Sequence, residues 1–168
     1  EGKGSHCKWY GIKCYHSGRV KSLNLAFNGL NGSLPKEIGL ALTELKSLYL
    51  YANELSSNIP ASLFTLKKLK YLHLQANSFE GKLPSDFSKV TDLRELYLYG
   101  NNLKGTIPNS ISQLNKLEVL DLYNNNLEGN ISPRIFDNMK HIVEVYLDDN
   151  DLTGTITKES VICKRGLH

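Results

Sequence analysis

Apolar residues recur along this chain in a fixed frame: one apolar position, two variable, one apolar, one variable, one apolar, with an asparagine soon after. The frame is plainest in LRELYLYGNNLKGTIP at 93–108. It returns as LKSLYLYANELSSNIP at 45–60, LKYLHLQANSFEGKLP at 69–84 and LEVLDLYNNNLEGNIS at 117–132. Looser copies are VKSLNLAFNGLNGSLP at 20–35 and IVEVYLDDNDLTGTIT at 142–157. The central apolar residues Leu23, Leu48, Leu72, Leu96, Leu120 and Val145 stand 25, 24, 24, 24 and 25 residues apart. A fixed period of this length marks a solenoid, because one short unit buries its apolar face only against its neighbours. The period-two alternation inside each frame predicts a strand with one buried face.

Five residues after each central position stands an asparagine: Asn28, Asn53, Asn77, Asn101, Asn125 and Asn150. An amide carries two donors and an acceptor with two lone pairs, so a stack of them can satisfy the backbone where the chain leaves each strand. An aliphatic residue there would leave those groups unpaired, at about 1–3 kcal/mol each. Leu30, Leu55, Phe79, Leu103, Leu127 and Leu152 follow, two residues further on. A glycine column comes next at Gly32, Gly81, Gly105, Gly129 and Gly154, with Ser57 its one departure. After Leu34, Ile59, Leu83, Ile107, Ile131 and Ile156 come Pro35, Pro60, Pro84 and Pro108, then Ser132 and Thr157. Proline ends strand pairing and starts a tight turn, so short 3₁₀ or irregular helix is predicted on the convex side.

Composition narrows the function only a little. The 168 residues suffice for one domain with a real core, at 40% hydrophobic and 22% charged content. No stretch approaches the roughly 18–20 apolar residues of a membrane span. Twenty basic and 17 acidic residues leave a net charge of +3, too balanced for a nucleic-acid surface. Cys7 and Cys14 lie before the repeats and Cys163 after them, with none inside. That placement suggests a disulfide-stapled cap and an oxidising compartment.

With the leucines inward, the residue between them and its neighbours two positions away face the open, concave side. The triplets are Ser22, Asn24, Ala26; Ser47, Tyr49, Tyr51; Tyr71, His73, Gln75; Glu95, Tyr97, Tyr99; Val119, Asp121, Tyr123; and Glu144, Tyr146, Asp148. Seven of the nine tyrosines fall in these eighteen positions, Tyr10 and Tyr15 being in or beside the cap. Tyrosine gives large contact area at little rotamer cost, and it is enriched at binding surfaces. Sheet packing favours it too, by about 0.2–1 kcal/mol per cross-strand pair, so both explanations stand here. Lys21, Lys46, Lys70 and Arg94 form a basic rim. Glu118, Asp121, Glu144, Asp148 and Asp149 make the C-terminal end acidic, a polarity that would orient an elongated ligand.

Other motifs carry less. His73 has no second histidine or cysteine at ligand spacing. The run DDNDLTG at 148–154 resembles a calcium loop, but Asn150, Leu152 and Gly154 belong to the repeat and Ser160 stands where the closing Glu would be. No catalytic triad, carboxylate pair or phosphate loop is visible, so a non-enzymatic protein without cofactor or metal is expected. Asn31 and Asn130 open candidate N-glycosylation sequons. Regular solenoids can also bind ice through ranks of identical residues. The rank Ser33, Asn58, Lys82, Thr106, Asn130, Thr155 is irregular and contains a lysine, which disfavours that use.

The pattern L-x-x-L-x-L-x-x-N-x-L-x-G-x-I-P over 20–157 resembles the plant-specific class of leucine-rich repeat. CKWYGIKC at 7–14 resembles the second half of that family's N-terminal cap, C-x-W-x-G-[IV]-x-C. The resemblance implies a leucine-rich repeat solenoid of the α/β repeat class, with a parallel concave sheet of about six repeats. It also implies a Cys7–Cys14 disulfide, with Trp9 covering the first repeat's apolar edge. The family's earlier cap helix is absent and only Cys163 of a C-terminal cysteine pair is present, so a piece of a longer protein is expected. The layout is then a partial cap at 1–19, six repeats at 20–157 and the start of a truncated C-terminal cap at 158–168. The family implies a monomeric, extracellular, secreted or cell-surface recognition module for a protein or peptide ligand, such as a co-receptor or enzyme. An uncapped C-terminal edge would invite association. The expected contacts are Tyr49, Tyr51, Tyr71, His73, Glu95, Tyr97, Tyr99, Asp121, Tyr123, Tyr146 and Asp148. An inhibitor of cell-wall polygalacturonases and a structural or adhesive protein are the alternatives.

Overall fold

The computed structural model describes residues 5–154. A cap strand, β1 (Ile12–Cys14), precedes the repeats. Each repeat then supplies two strands: β2 (Val20–Asn24) and β3 (Asn31–Ser33), β4 (Ser47–Tyr49) and β5 (Glu54–Asn58), β6 (Tyr71–His73) and β7 (Ser78–Lys82). The series continues with β8 (Glu95–Tyr97) and β9 (Asn102–Gly105), β10 (Val119–Asp121) and β11 (Asn126–Asn130), β12 (Glu144–Tyr146) and β13 (Asp151–Thr153). The first strands form one sheet in the order β1-β2-β4-β6-β8-β10-β12, and the second strands form another, running from β3 to β13. All pairs are parallel except β1 with β2.

The predicted central column is in register: Leu23, Leu48, Leu72, Leu96, Leu120 and Val145 stand opposite one another from strand to strand. From Leu48 onward this column is buried, and Phe64, Phe79 and Phe87 fill the space between the sheets and the convex side. The first repeat is looser, with Leu23, Leu25, Leu30 and Leu34 only partly buried. The convex segments are short, as the prolines predict. Helix α1 (Ile38–Ala41) and 3₁₀ turns at Ala61–Thr65 and Asn109–Gln113 follow Pro35, Pro60 and Pro108. After Pro84 no helix forms; Asp86 Oδ1 instead accepts the Ser88 N–H at 2.8 Å. Gly39 on α1 lets two convex segments touch, since a Cβ there would lie 2.0 Å from the Ser62 carbonyl oxygen.

The asparagine ladder is formed. Asn101 Oδ1 accepts the Phe79 N–H at 3.0 Å, and its Nδ2 donates to the carbonyls of Leu74 and Leu98 at 3.2 and 2.9 Å. Asn53, Asn77, Asn125 and Asn150 repeat this arrangement. Each interior carbonyl, such as Leu98 O, thus accepts from two successive rungs. Asn28 is the exposed first rung and donates to Ala26 O. The glycine column exists because the backbone there is left-handed, and Ser57 takes the same conformation at φ 66°.

Cys7 and Cys14 are disulfide-bonded, as the family resemblance implies. The expected role of Trp9 is not met. Trp9 is 65% exposed. It lies in the tight turn after the Ser5–Lys8 3₁₀ helix, its N–H bonded to His6 O and its carbonyl to the Ile12 N–H, which turns the indole outward. The apolar edge of the first repeat is met by β1 instead, with Ile12 opposite Leu23. The expected C-terminal cap at 158–168 with Cys163, and the last frame residues Ile156 and Thr157, lie outside the described residues.

Candidate functional site

Register alone brings the concave aromatics together. Tyr49, His73 and Tyr97 occupy equivalent places on β4, β6 and β8, so a strand spacing near 4.8 Å sets their rings in one row. The His73 ring stands edge-to-face with Tyr49 at 4.8 Å and with Tyr97 at 4.6 Å between centroids. Tyr51 reaches His73 at 6.4 Å, and Tyr97 and Tyr99 are 6.5 Å apart. His73 Nε2 lies 2.8 Å from Glu95 Oε2. Burial holds the imidazole below its ordinary value of 6.5 even though the Glu95 hydrogen bond and charge pull upward. Burial, reinforced by the Glu95 charge, pushes the Tyr97 phenol up to about 12, so it remains a hydrogen-bond donor at neutral pH.

The C-terminal end of the same face is acidic and tyrosine-lined. Tyr99, Asp121, Tyr123, Tyr146 and Asp148 surround an open hollow of about 230 Å³. Asp121 accepts the Tyr123 N–H at 3.1 Å. Burial pushes its carboxyl up to about 6, with the charges of Asp148 and Glu144 adding to the effect. Tyr123 is raised by its hydrogen bond to Asp149, and Tyr146 chiefly by the charge of Glu144.

The predicted contact residues therefore fall into two groups on one face. Tyr49, Tyr51, His73, Glu95, Tyr97 and Tyr99 form the aromatic row, and Asp121, Tyr123, Tyr146 and Asp148 line or adjoin the hollow. Tyr71 is half-buried at the start of β6, opposite Glu95 of the next strand. Two members of the triplets are not open surface: Gln75 and Asp121 are each 8% exposed. Gln75 Oε1 is buried without a hydrogen-bond partner among the described residues.

The charged rim is also more divided than the sequence suggests. Arg94 pairs with Glu118, removing both from the unpaired charge. Lys21 and Lys46 both lie over the Tyr15 ring, at 5.7 and 5.5 Å from its centroid. Sequence reasoning missed Phe27, whose exposed ring meets Tyr51 edge-on at 5.2 Å. The signal was present: Phe27 is the aromatic exception in a left-handed column otherwise filled by Ala52, Ala76, Gly100, Asn124 and Asp149. Asn31 and Asn130 are both exposed. His6, Cys7 and Cys14 cluster within 4.8 Å, but both sulfurs belong to the disulfide and offer no thiolate to a metal.

The leucine rich repeat family matches residues 18–79, 44–103 and 91–152. Among solved structures, the leucine-rich repeat ectodomain of the receptor kinase SOBIR1 from Arabidopsis thaliana is similar at TM-score 0.79 and 32% identity, over 88% of this chain and 84% of that one. The Arabidopsis receptor kinase HAESA ectodomain, solved with an IDA peptide hormone ligand, is similar at 0.78 and 29%, over 90% of this chain and 30% of that one. A plant ice-binding protein is similar at 0.81 and 36%, over 88% and 48%. The curated relatives are far longer: the chain aligns at 43% identity over 61 residues, or 36% of its length, with 9% of a probable inactive receptor kinase of Arabidopsis thaliana. The architecture is that of the ectodomains of plant membrane receptors. With repeats, ladder and cap disulfide in place, this chain belongs to the leucine-rich repeat family.

Proposed function

We propose that this chain is an extracellular recognition module that binds a protein or peptide on its tyrosine-rich concave face. The carrying observation is the row of half-buried rings, Tyr49, His73 and Tyr97, on a sheet face that the core does not use. Valine or threonine would build the strand equally well. The cap disulfide supports an oxidising, extracellular setting. A similar ectodomain carries a peptide hormone ligand. In this view residues 1–19 are the cap, 20–157 the six repeats and 158–168 the beginning of a C-terminal cap.

Ice binding has less support, despite the likeness to an ice-binding protein. Such use needs a uniform rank, and the second-sheet positions Ser33, Asn58, Lys82, Thr106 and Asn130 differ in size and charge.

The test is affinity capture from native extracellular fluid with the chain and with a Tyr97→Ala, Tyr99→Ala double variant. The double variant loses its partner at least about thirtyfold, the size of a hot-spot loss of roughly 2 kcal/mol. Its fold, read by circular dichroism, is retained. Undiminished capture with only a lowered melting temperature would assign the tyrosines to sheet packing. A captured polygalacturonase that loses activity would identify the partner as an enzyme and the chain as an inhibitor.

A further inference from the structure

The acidic hollow has a feature that the aromatic row lacks. Asp121 is more than nine-tenths buried, lines the hollow, and has as its hydrogen-bond partner a backbone N–H, that of Tyr123. Among the described residues no cation pairs with it; the charges acting on it are Asp148 and Glu144, both negative. Glu144 has the neighbouring Tyr146 hydroxyl at 3.4 Å and, among the described residues, no ion pair, and Arg94 is occupied by Glu118. A buried carboxylate is costly unless it is paired, and here the surroundings make it costlier. The walls of the hollow are Tyr99, Tyr123 and Tyr146, whose ring faces attract a cation.

We propose that this hollow is a subsite for one cationic side chain, best an arginine, of the protein or peptide that docks on the concave face. A guanidinium is planar, stacks on tyrosine, and presents paired N–H donors to carboxylates, so it suits a slot with tyrosine walls and Asp121 and Asp148 at its lining. Electrostatic complementarity of this kind fixes the register of an elongated ligand, with the cation at the C-terminal end of the groove and the remainder over the aromatic row. The inference rests on the concave-face reading, and it names which chemistry the partner brings to one end of that face.

The test needs no knowledge of the partner. The intact chain with isotope-labelled tyrosine rings is titrated with N-acetyl-arginine methylamide, and in parallel with its uncharged isostere N-acetyl-citrulline methylamide. Saturable shifts at Tyr99, Tyr123 and Tyr146 are expected from the arginine probe, with the citrulline probe at least about tenfold weaker. Asp121→Asn abolishes the shifts. Asp148→Asn, a change at an exposed residue that leaves the fold intact, weakens them several-fold. Equal response to both probes, or shifts that survive both substitutions, would overturn the subsite. So would calcium chloride alone producing the same shifts and displacing the arginine probe, which would make the hollow a metal site. A partner caught by the unaltered chain in the capture experiment, with no arginine response here, sinks this inference and leaves the concave face standing.

Discussion

Asn101 and Asp121 are buried to nearly the same degree, 7% and 8% exposed, yet they are opposite kinds of polar burial. Asn101 belongs to the frame. Its oxygen has a donor, its nitrogen has two good acceptors, and the same arrangement recurs from rung to rung. Asp121 belongs to the face. It has one backbone donor, and its charged neighbours repel it. Where every polar atom is paired internally, burial specifies the fold. Where pairing stops short, burial leaves interaction capacity that a partner can use.

The largest break in this comparison is Asn101→Leu. Leu74 O and Leu98 O would keep the rungs Asn77 and Asn125, so each loses one of two donors. The Phe79 N–H would lose its Asn101 acceptor inside the core. One stranded N–H and two lost hydrogen bonds predict a destabilisation of about 3–5 kcal/mol. Urea denaturation checks it; a loss under 1 kcal/mol would mean that the ladder is ornamental.

Asp121→Asn should act in the other direction. The amide keeps an oxygen for the Tyr123 N–H and removes the charge that Asp148 and Glu144 oppose. Burial pushes the native carboxyl up to about 6 from an ordinary 3.8, so the folded state holds its proton more tightly than the unfolded chain does. The cost of the ionised form is therefore complete above about pH 6 and gone below the ordinary value. With solvent screening of the carboxyl the variant gains about 1–2 kcal/mol at pH 8 and nothing at pH 3.5. Thermal unfolding at the two pH values decides it, and an equal gain at both would remove electrostatics as the cause.

The frame was legible in the sequence because it is repeated. Six asparagines at one offset cannot be coincidence, and the register of Leu48, Leu72 and Leu96 follows from the spacing alone. The aromatic row followed from the same register once the inward residues were known. What the sequence hid are properties that arise between repeats. Gln75 and Asp121 read as open-face residues, and only packing against neighbouring strands buries them. Arg94 and Glu118 read as members of opposite charge groups, and only their meeting across adjacent strands cancels them. Trp9 misled for the reverse reason: it lies outside the repeated frame, where a local turn decides its direction.

The smallest and sharpest test is Gln75→Met. Gln75 lies between Tyr51 and Tyr99 across the concave sheet, joined by backbone bonds from Ala52 N–H to Gln75 O and from Ala76 N–H to Tyr99 O. Its Oε1 is buried with no partner among the described residues. Methionine keeps the length and flexibility of the side chain and removes the stranded acceptor. If the frame rule holds, so that unpaired polar burial is not there for the fold, the variant is more stable by about 1 kcal/mol. If the face rule also holds, the same substitution weakens capture of the partner, because the polar side chain between Tyr51 and Tyr99 has been lost. Stability and affinity then move in opposite directions on one substitution. A variant that loses both stability and binding would show that the Gln75 amide supports the sheet after all, and the division between frame and face would fail at the residue where it is most exposed to test.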